Sequence, residues 1–209
     1  MLPEYKSAVR ARIAQAALKV FAKTGYHDSR MDDVAAEAGL SKPTLYEYVQ
    51  SKEDLLKAIS ESSKESMVAS LTIGVQGTRE VLRRNYENLV ASRGSLHLGF
   101  EIVSLSSHDE TVGRINREVY TAKREALTSF LRRQQEGGTI GREIDPELAA
   151  QLLTSVYADV ATQLTLGFDE SEVRERWSKS VTAILGEHGE RGSAQSPRRQ
   201  AAAREAGSR

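Results

Sequence analysis

The sequence predicts an all-α protein of about nine helices. Apolar residues recur three or four positions apart in almost every segment up to residue 187, which is the spacing of one helix face. No segment shows the strict alternation of apolar and polar residues that is typical of a half-buried strand. Strong start and stop signals separate the segments, such as Asp145 before Pro146, and the pair Gly137 and Gly138.

Composition predicts a soluble, cytoplasmic protein. The chain of 209 residues is 39% hydrophobic and 28% charged, and it contains no cysteine, so no disulfide is expected. No apolar run approaches the ~20 residues that span a bilayer, and the start lacks the apolar core of a signal peptide. We therefore expect no membrane partner. Because the formal net charge is +0, binding to nucleic acid requires a local basic patch.

The first helix is predicted over residues 4–24, where one apolar stripe faces a core. Gly25 ends this helix, because glycine readily adopts the left-handed conformation that terminates helices. The stripe consists of Ile13, Ala16, Ala17, Val20, Phe21 and Thr24. The small core is expected to contain Phe21, Val34, Leu45, Tyr46 and Leu55.

Residues 29–56 predict two short helices around a tight turn, followed by the start of a longer helix. Ser29 and Asp32 have the spacing of a capping box at the first of them. Ser41 caps the second helix, and Pro43 lies in its first turn, where a missing N–H costs little. So short a helix is unstable alone, so a scaffold must hold it with its polar tips exposed. This pattern is typical of a helix-turn-helix, whose second helix enters the DNA major groove.

The fourth helix is predicted over residues 51–73 and is about 30 Å long, so it bridges two regions of the chain. Residues 189–209 contain no apolar residue larger than alanine. They cannot bury a core and are predicted to be a disordered tail. The remaining helices are predicted over residues 78–92, 95–106, 109–136, 145–167 and 169–187.

Many residues at fixed spacing over positions 12–59 form a family pattern: Arg12, Ile13, Ala16, Ala17, Phe21, Gly25, Asp33, Val34, Ala35, Ala38, Gly39, Leu40, Ser41, Thr44, Leu45, Tyr46, Tyr48, Ser51, Lys52, Glu53 and Leu55. This stretch resembles the N-terminal domain of TetR-family transcriptional regulators. The resemblance implies a DNA-binding domain over residues 1–50 and a helical ligand-binding and dimerisation domain over residues 51–188. It also implies a homodimer on a palindromic double-stranded DNA operator.

The outer side of the second short helix is expected to contact DNA. Lys42 is placed to donate to guanine, and Pro43 and Thr44 to contact thymine methyl groups or phosphate. Glu47 has two interpretations, because it can accept a hydrogen bond from cytosine N4 or simply face solvent.

Neighbouring residues extend this surface. Tyr46 is expected to pack its ring on the domain, and Tyr48 to reach a phosphate. Lys52 adds a charge at the start of the fourth helix, where backbone amides favour phosphate. A helical lysine or arginine is often merely solvated, and the motif favours contact for Lys42 and Lys52. The full predicted DNA-binding set is Arg30, Lys42, Pro43, Thr44, Tyr46, Glu47, Tyr48 and Lys52.

The resemblance implies a pocket among the middle helices for an unidentified small-molecule effector. Plain core packing is the alternative for most candidates, and Arg93, Glu101 and Lys123 are the polar ones able to orient a ligand. The predicted lining residues are Met67, Leu71, Tyr86, Leu89, Arg93, His97, Phe100, Glu101, Val119, Tyr120, Lys123 and Tyr157.

The last two helices are predicted to form the dimer interface through Ala158, Ala161, Leu164, Trp177, Val181 and Ile184, with closure of the monomer core as the alternative.

Together these features predict a sequence-specific DNA-binding transcriptional regulator, a repressor that a small molecule releases from its operator. The alternative is a protein of the same family that a protein partner controls, or that no ligand controls. An enzyme is not expected, because the chain has no nucleophile elbow and no phosphate loop. Its four histidines are far apart and lack metal-ligand spacing, so no metal or other cofactor is predicted.

Overall fold

The computed structural model describes residues 3–72 and 77–186 of the chain. Within these ranges the chain forms nine α-helices, a short 3-10 turn at Arg93–Ser95 and no strand, which confirms the predicted all-α fold. None of the described helices is long and apolar enough to cross a bilayer. The predicted tail at 189–209 lies outside the described residues. The helices are α1 (Pro3–Thr24), α2 (Met31–Glu37), α3 (Lys42–Tyr46), α4 (Lys52–Thr72), α5 (Thr78–Ala91), α6 (Leu96–Leu105), α7 (Glu110–Glu136), α8 (Pro146–Leu166) and α9 (Glu170–Leu185).

Capping residues set the boundaries of the long helices. Asp109 accepts the N–H of Val112 at 2.9 Å at the start of α7. Asp145 accepts the N–H of Glu147 at 2.9 Å at the start of α8. At the end of α8, Gly167 has a φ of 82°, a conformation that glycine adopts without steric cost. These signals are local, and for this reason the sequence predicts them.

One buried core joins α1, α2, α3 and the first turns of α4. Phe21 is fully buried, and its ring meets that of Tyr26 edge-on with 5.2 Å between centroids. Leu45, also fully buried, anchors α3 to this core. The core crosses the division predicted at residue 50, because it continues into α6 and α7. The residues of α6 and α7 that complete it are Leu98, Ile102, Val112 and Ile115.

A second core lies between α5, α7, α8 and α9. The rings of Tyr86 and Trp177 stack with 5.9 Å between centroids. The guanidinium of Arg174 lies 5.1 Å from the centroid of the Tyr86 ring, a cation–π contact. This stack connects α5 to α9.

The second core corrects half of the predicted dimer interface. Leu164, Trp177 and Val181 are buried inside the protomer, so they cannot also meet a partner chain in this conformation. The other three predicted residues lie further out: Ala161 and Ile184 are half-buried against the same core, and Ala158 is exposed.

Two local predictions around α1 and α2 are wrong. The Ser29 hydroxyl donates to the Tyr26 carbonyl at 2.7 Å, and Arg30 rather than Ser29 is the N-cap of α2. Thr24 is exposed instead of buried, and its hydroxyl donates to the Val20 carbonyl at 3.0 Å. Both polar side chains bind nearby backbone groups, as serine and threonine often do.

Candidate nucleic-acid interface and ligand cavity

The short helix α3 depends on its cap and its anchor. Ser41 Oγ accepts the N–H of Thr44 at 3.2 Å, which confirms the predicted cap. Gly39, between α2 and α3, has a φ of 63°, a left-handed conformation that glycine adopts without strain. With Leu45 buried, the opposite side of α3 faces solvent. The residues exposed there are Lys42, Pro43 and Glu47.

Lys42 is paired with an acid of the same motif. Its Nζ lies 2.7 Å from Oδ1 and 3.1 Å from Oδ2 of Asp32 on α2. The hydrogen bond and the charge of Asp32 raise the pKa of Lys42. Both side chains are more than half exposed, at 57% and 59%. Solvent therefore screens the pair, and a DNA acceptor can replace the carboxylate at low cost.

The two tyrosines of the motif occupy different environments. Tyr48 is half-buried and packs against the first core. Tyr46 is half-buried outside that core, which corrects its predicted place there. The carbonyl of Tyr46 accepts a hydrogen bond from the Gln50 side chain. Arg30 is exposed and Thr44 is half-buried, with its hydroxyl 2.7 Å from Ser41 Oγ.

Two charged side chains of opposite sign hold the linker between α1 and α2. Lys52 on α4 donates from Nζ to the carbonyls of Tyr26 at 3.0 Å and His27 at 2.6 Å. Glu101 on α6 accepts at Oε1 the N–H of Tyr26 at 2.8 Å and that of His27 at 3.2 Å. Hydrogen bonds to charged groups are the stronger ones. The linker is therefore fixed from both sides by helices outside the motif.

This arrangement bears on two predicted site residues. Lys52 uses two of its three ammonium hydrogens on the linker, and its phosphate contact stays a prediction. The prediction that Glu101 lines the pocket is corrected, because its side chain binds the linker instead. Glu101 follows Tyr26 by 75 positions, and no local sequence signal links the two.

Helix α4 contributes to both the motif and a cavity. Leu55 and Leu56 at its start are buried in the first core. About 22 Å further along the helix, Ser70 and Leu71 line the cavity.

The cavity has a volume of about 320 Å³, near the lower end for small-molecule sites. Its lining residues come from α4, α5, α7, α8 and α9, with Ser92 at the end of α5. Its apolar wall consists of Leu71, Leu82, Leu89, Leu127, Leu153 and Trp177. Its polar lining residues are Ser63, Ser66, Ser70, Asn85, Asn88, Ser92, Lys123, Thr154 and Tyr157.

Four of the twelve predicted pocket residues line this cavity, namely Leu71, Leu89, Lys123 and Tyr157. The other described residues of the predicted set do not line this cavity. Tyr86 is buried in the second core, and Val119 is half-buried outside the cavity lining. The exposed residues Arg93, His97, Phe100 and Tyr120 do not line it either. The Met67 side chain lies outside the described part of the structure. Sequence reasoning missed the serines and asparagines, because such residues on a helix usually face solvent.

A wider groove of about 560 Å³ runs between α1 and α4. Its bases are Lys6, Arg10 and Lys57, and its acids are Asp54, Glu61 and Glu65. Because both signs of charge line this open groove, it offers no single chemistry to a ligand. The smaller cavity combines an apolar wall with a few polar groups, which is the usual composition of a ligand site.

Comparison with known proteins agrees with this geometry. Residues 13–59 match the family model described as bacterial regulatory proteins, tetR family. The HTH-type transcriptional regulator UidR of Escherichia coli K12 is 26% identical over 184 residues, covering 85% of this chain and 91% of UidR. The HTH-type transcriptional activator FasR of Mycolicibacterium smegmatis is 32% identical over 98 residues. That match covers 47% of this chain and spans less than half of FasR, 42% of its length.

Solved structures share the whole architecture. A TetR-family transcriptional regulator from Rhodococcus sp. has a TM-score of 0.73 at 19% identity, covering 85% of this chain and 98% of that one. A transcriptional regulator from Saccharomonospora viridis in complex with choline has a TM-score of 0.66 at 20% identity, covering 86% and 98%.

The capped and anchored α3, set on an all-α scaffold, defines a helix-turn-helix DNA-binding transcription regulator. The family match and the regulator relatives indicate which family of regulators the chain resembles. The helix-turn-helix domain of this chain is that of the TetR family of transcriptional regulators, and the relatives that match most of the chain are transcriptional regulators.

Replacing Glu101 should loosen the linker between α1 and α2. In Glu101→Ala, two linker N–H groups lose a charged acceptor, and the free energy of unfolding is expected to fall by about 1–3 kcal/mol. Glu101→Gln keeps a carbonyl oxygen for the same two donors and should lose less. Urea denaturation measures the stability, and hydrogen exchange measures the protection of the Tyr26 and His27 amides.

The matched control is Glu125→Ala, an exposed glutamate on α7, which should leave both measurements unchanged. Equal protection of the two linker amides in Glu101→Ala and the natural protein would contradict the role assigned to Glu101.

Proposed function

We propose that this regulator is a repressor that a small molecule, bound in the cavity between α4 and α9, releases from its DNA operator. The observation that carries the proposal is that α4 contributes to both sites. Its first turns are buried with the helix-turn-helix, and Ser70 and Leu71 further along it line the cavity. A ligand that displaces α4 therefore displaces α3.

The switch requires two conformations. A ligand changes DNA affinity only through its differential affinity for the DNA-bound and released states. Glu101 and Lys52 hold the linker ahead of α2 from α6 and α4. A small movement of α4 relative to α6 therefore changes the orientation of α2 and α3. Binding of a chromosomal operator places the site of action in the cytoplasm, and no catalytic step is part of the mechanism.

The proposed DNA contacts centre on the exposed side of α3. Lys42 exchanges its ion pair with Asp32 for guanine O6 or N7, and Pro43 and Thr44 meet thymine methyl groups or phosphate. Backbone contacts position the protein on the duplex, while base contacts give specificity. The residues proposed for the backbone are Arg30, Tyr46, Tyr48 and Lys52, and Glu47 faces a base or solvent.

Choline binding by the Saccharomonospora viridis neighbour supports ligand control on this fold. Choline itself is a poor fit here, because the described lining of the cavity contains Lys123 and no acid. FasR is named an activator, so repression by this chain rests on the family expectation. Control by a protein partner is the alternative proposal.

Lys42→Ala is expected to weaken specific DNA binding by about tenfold to a hundredfold, since a bidentate base contact discriminates by about 1–3 kcal/mol. The operator is first selected from a pool of random duplexes, and fluorescence anisotropy then measures affinity at several salt concentrations. Arg114→Ala, an exposed arginine on α7, is the control and should bind as the natural protein does. Unchanged affinity of Lys42→Ala for the selected site would remove Lys42 from the interface.

Ligand control is tested with small molecules that stay bound through purification and are identified by mass spectrometry. Added back to the complex with the selected operator, one of them should reduce DNA affinity at least tenfold, a coupling of about 1.4 kcal/mol. A reporter behind the operator should be silenced by the protein and restored by that molecule. DNA binding that is indifferent to every retained molecule would favour control by a protein partner, and a reporter that the protein switches on would exclude repression.

We also propose a homodimer through the outer faces of α8 and α9, which gives a palindromic operator two copies of α3. Ala158 and Leu166 of α8 are exposed, the latter at 70%. Light scattering at micromolar protein should give twice the 23.0 kDa chain mass. Leu166→Lys should shift the mass towards the monomer, whereas Leu18→Lys on α1 should not. A natural protein of monomer mass would exclude this dimer.

A further inference from the structure

The cavity between α4 and α9 contains one half-buried lysine with no acid to pair with. Lys123 projects from α7 into the lining, and no hydrogen bond or ion pair joins its ammonium to any described residue. Lys19 and Lys42, by contrast, are exposed and paired with Glu37 and Asp32. An unpaired ammonium inside a cavity is costly, because desolvation disfavours the charged form.

The rest of the lining reinforces this asymmetry. None of the described side chains that line the cavity is an aspartate or a glutamate. Burial lowers the pKa of Lys123, which is the direction expected for a cation lacking a counter-charge. Tyr157 lines the same cavity, and burial raises the pKa of its phenol. Tyr157 is 38% exposed, so its hydroxyl can donate a hydrogen bond to a molecule in the cavity.

We propose that the ligand of this cavity is a small organic acid, whose carboxylate pairs with Lys123 and accepts a hydrogen bond from Tyr157. The proposal rests on the proposed function, because it names the chemical class of the effector. A carboxylate supplies the counter-charge that the protein lacks at this position, and charge-assisted hydrogen bonds are about twice as strong as neutral ones.

The body of the ligand follows from the opposite wall. Five leucines and Trp177 line the cavity, and an apolar chain or ring that covers them gains free energy from buried area. Ser70 and Asn85 are hydrogen-bonded to each other at 3.2 Å, and Asn88 beside them on α5 is placed to bond further oxygen atoms of a ligand. The volume of about 320 Å³ restricts the ligand to a small molecule.

A tryptophan of the chain serves as an intrinsic fluorescent probe of this cavity. Trp177 is the single tryptophan of the sequence, and its ring lies 6.4 Å from that of Tyr157, centroid to centroid. Its fluorescence therefore responds to a molecule that enters the cavity. The test titrates the full chain with hexanoate, hexanamide and hexylamine, and with the pair 4-phenylbutyrate and 4-phenylbutyramide.

The acids are expected to bind at least tenfold more tightly than the matched amides, and hexylamine more weakly than hexanamide. Tenfold corresponds to about 1.4 kcal/mol, close to the lower value for a hydrogen bond to a charged group. Lys123→Met keeps most of the side-chain volume and should lose the preference for acids while binding the amides as before. Lys179→Met, on the exposed side of α9, should keep the preference.

The proposal is overturned if acid and amide bind alike, if neither acid gives a saturable change in fluorescence, or if Lys123→Met binds the acids unchanged. Anisotropy with the selected operator separates this outcome from that of the proposed function. An acid that binds beside Trp177 without weakening DNA binding would support the ligand class and contradict ligand control. Release of DNA by a retained neutral molecule would support ligand control and contradict the ligand class.

Discussion

The position of the helix-turn-helix that contains α3 depends on two peptide groups at Tyr26 and His27. Lys52 binds their carbonyls and Glu101 binds their N–H groups. Because these partners lie on α4 and α6, the linker ahead of the helix-turn-helix is fixed by helices outside the motif. So short a helix as α3 cannot be stable without such support. The motif is therefore one end of a continuous structure rather than an independent unit.

That continuity bears on the energetics of the proposed control by a ligand. The first core extends from Phe21 to Ile115, so displacement of the motif must also disturb packing on α6 and α7. Protein cores are densely packed and resist gradual deformation. A ligand that moves α4 would therefore select between two discrete arrangements. The free energy that couples ligand to DNA is the difference in ligand affinity between those arrangements.

Local chemistry was predictable from the sequence, and tertiary pairing was not. The cap at Ser41 and the buried Leu45 follow from signals within a few residues, and the structure contains both. The bonds of Glu101 to the linker require knowledge of how α6 packs. The same limit applies to the cavity, where Lys123 lines the wall while Arg93, predicted alongside it, is exposed. Helical periodicity gives the buried face of a helix but not the neighbour that covers it.

The balance of charge now has a structural meaning. The formal net charge is +0, and many surface cations have an acid within ion-pair distance, as Arg83 has in Glu80. Lys123 has no such acid and lies at a half-buried position, where an unpaired charge costs more than it does in open solvent. Departures from local rules that reduce stability concentrate at functional sites. A counter-ion supplied by the ligand would offset that cost only in the bound state. The unpaired lysine would then contribute to affinity and to selectivity for an acid at once.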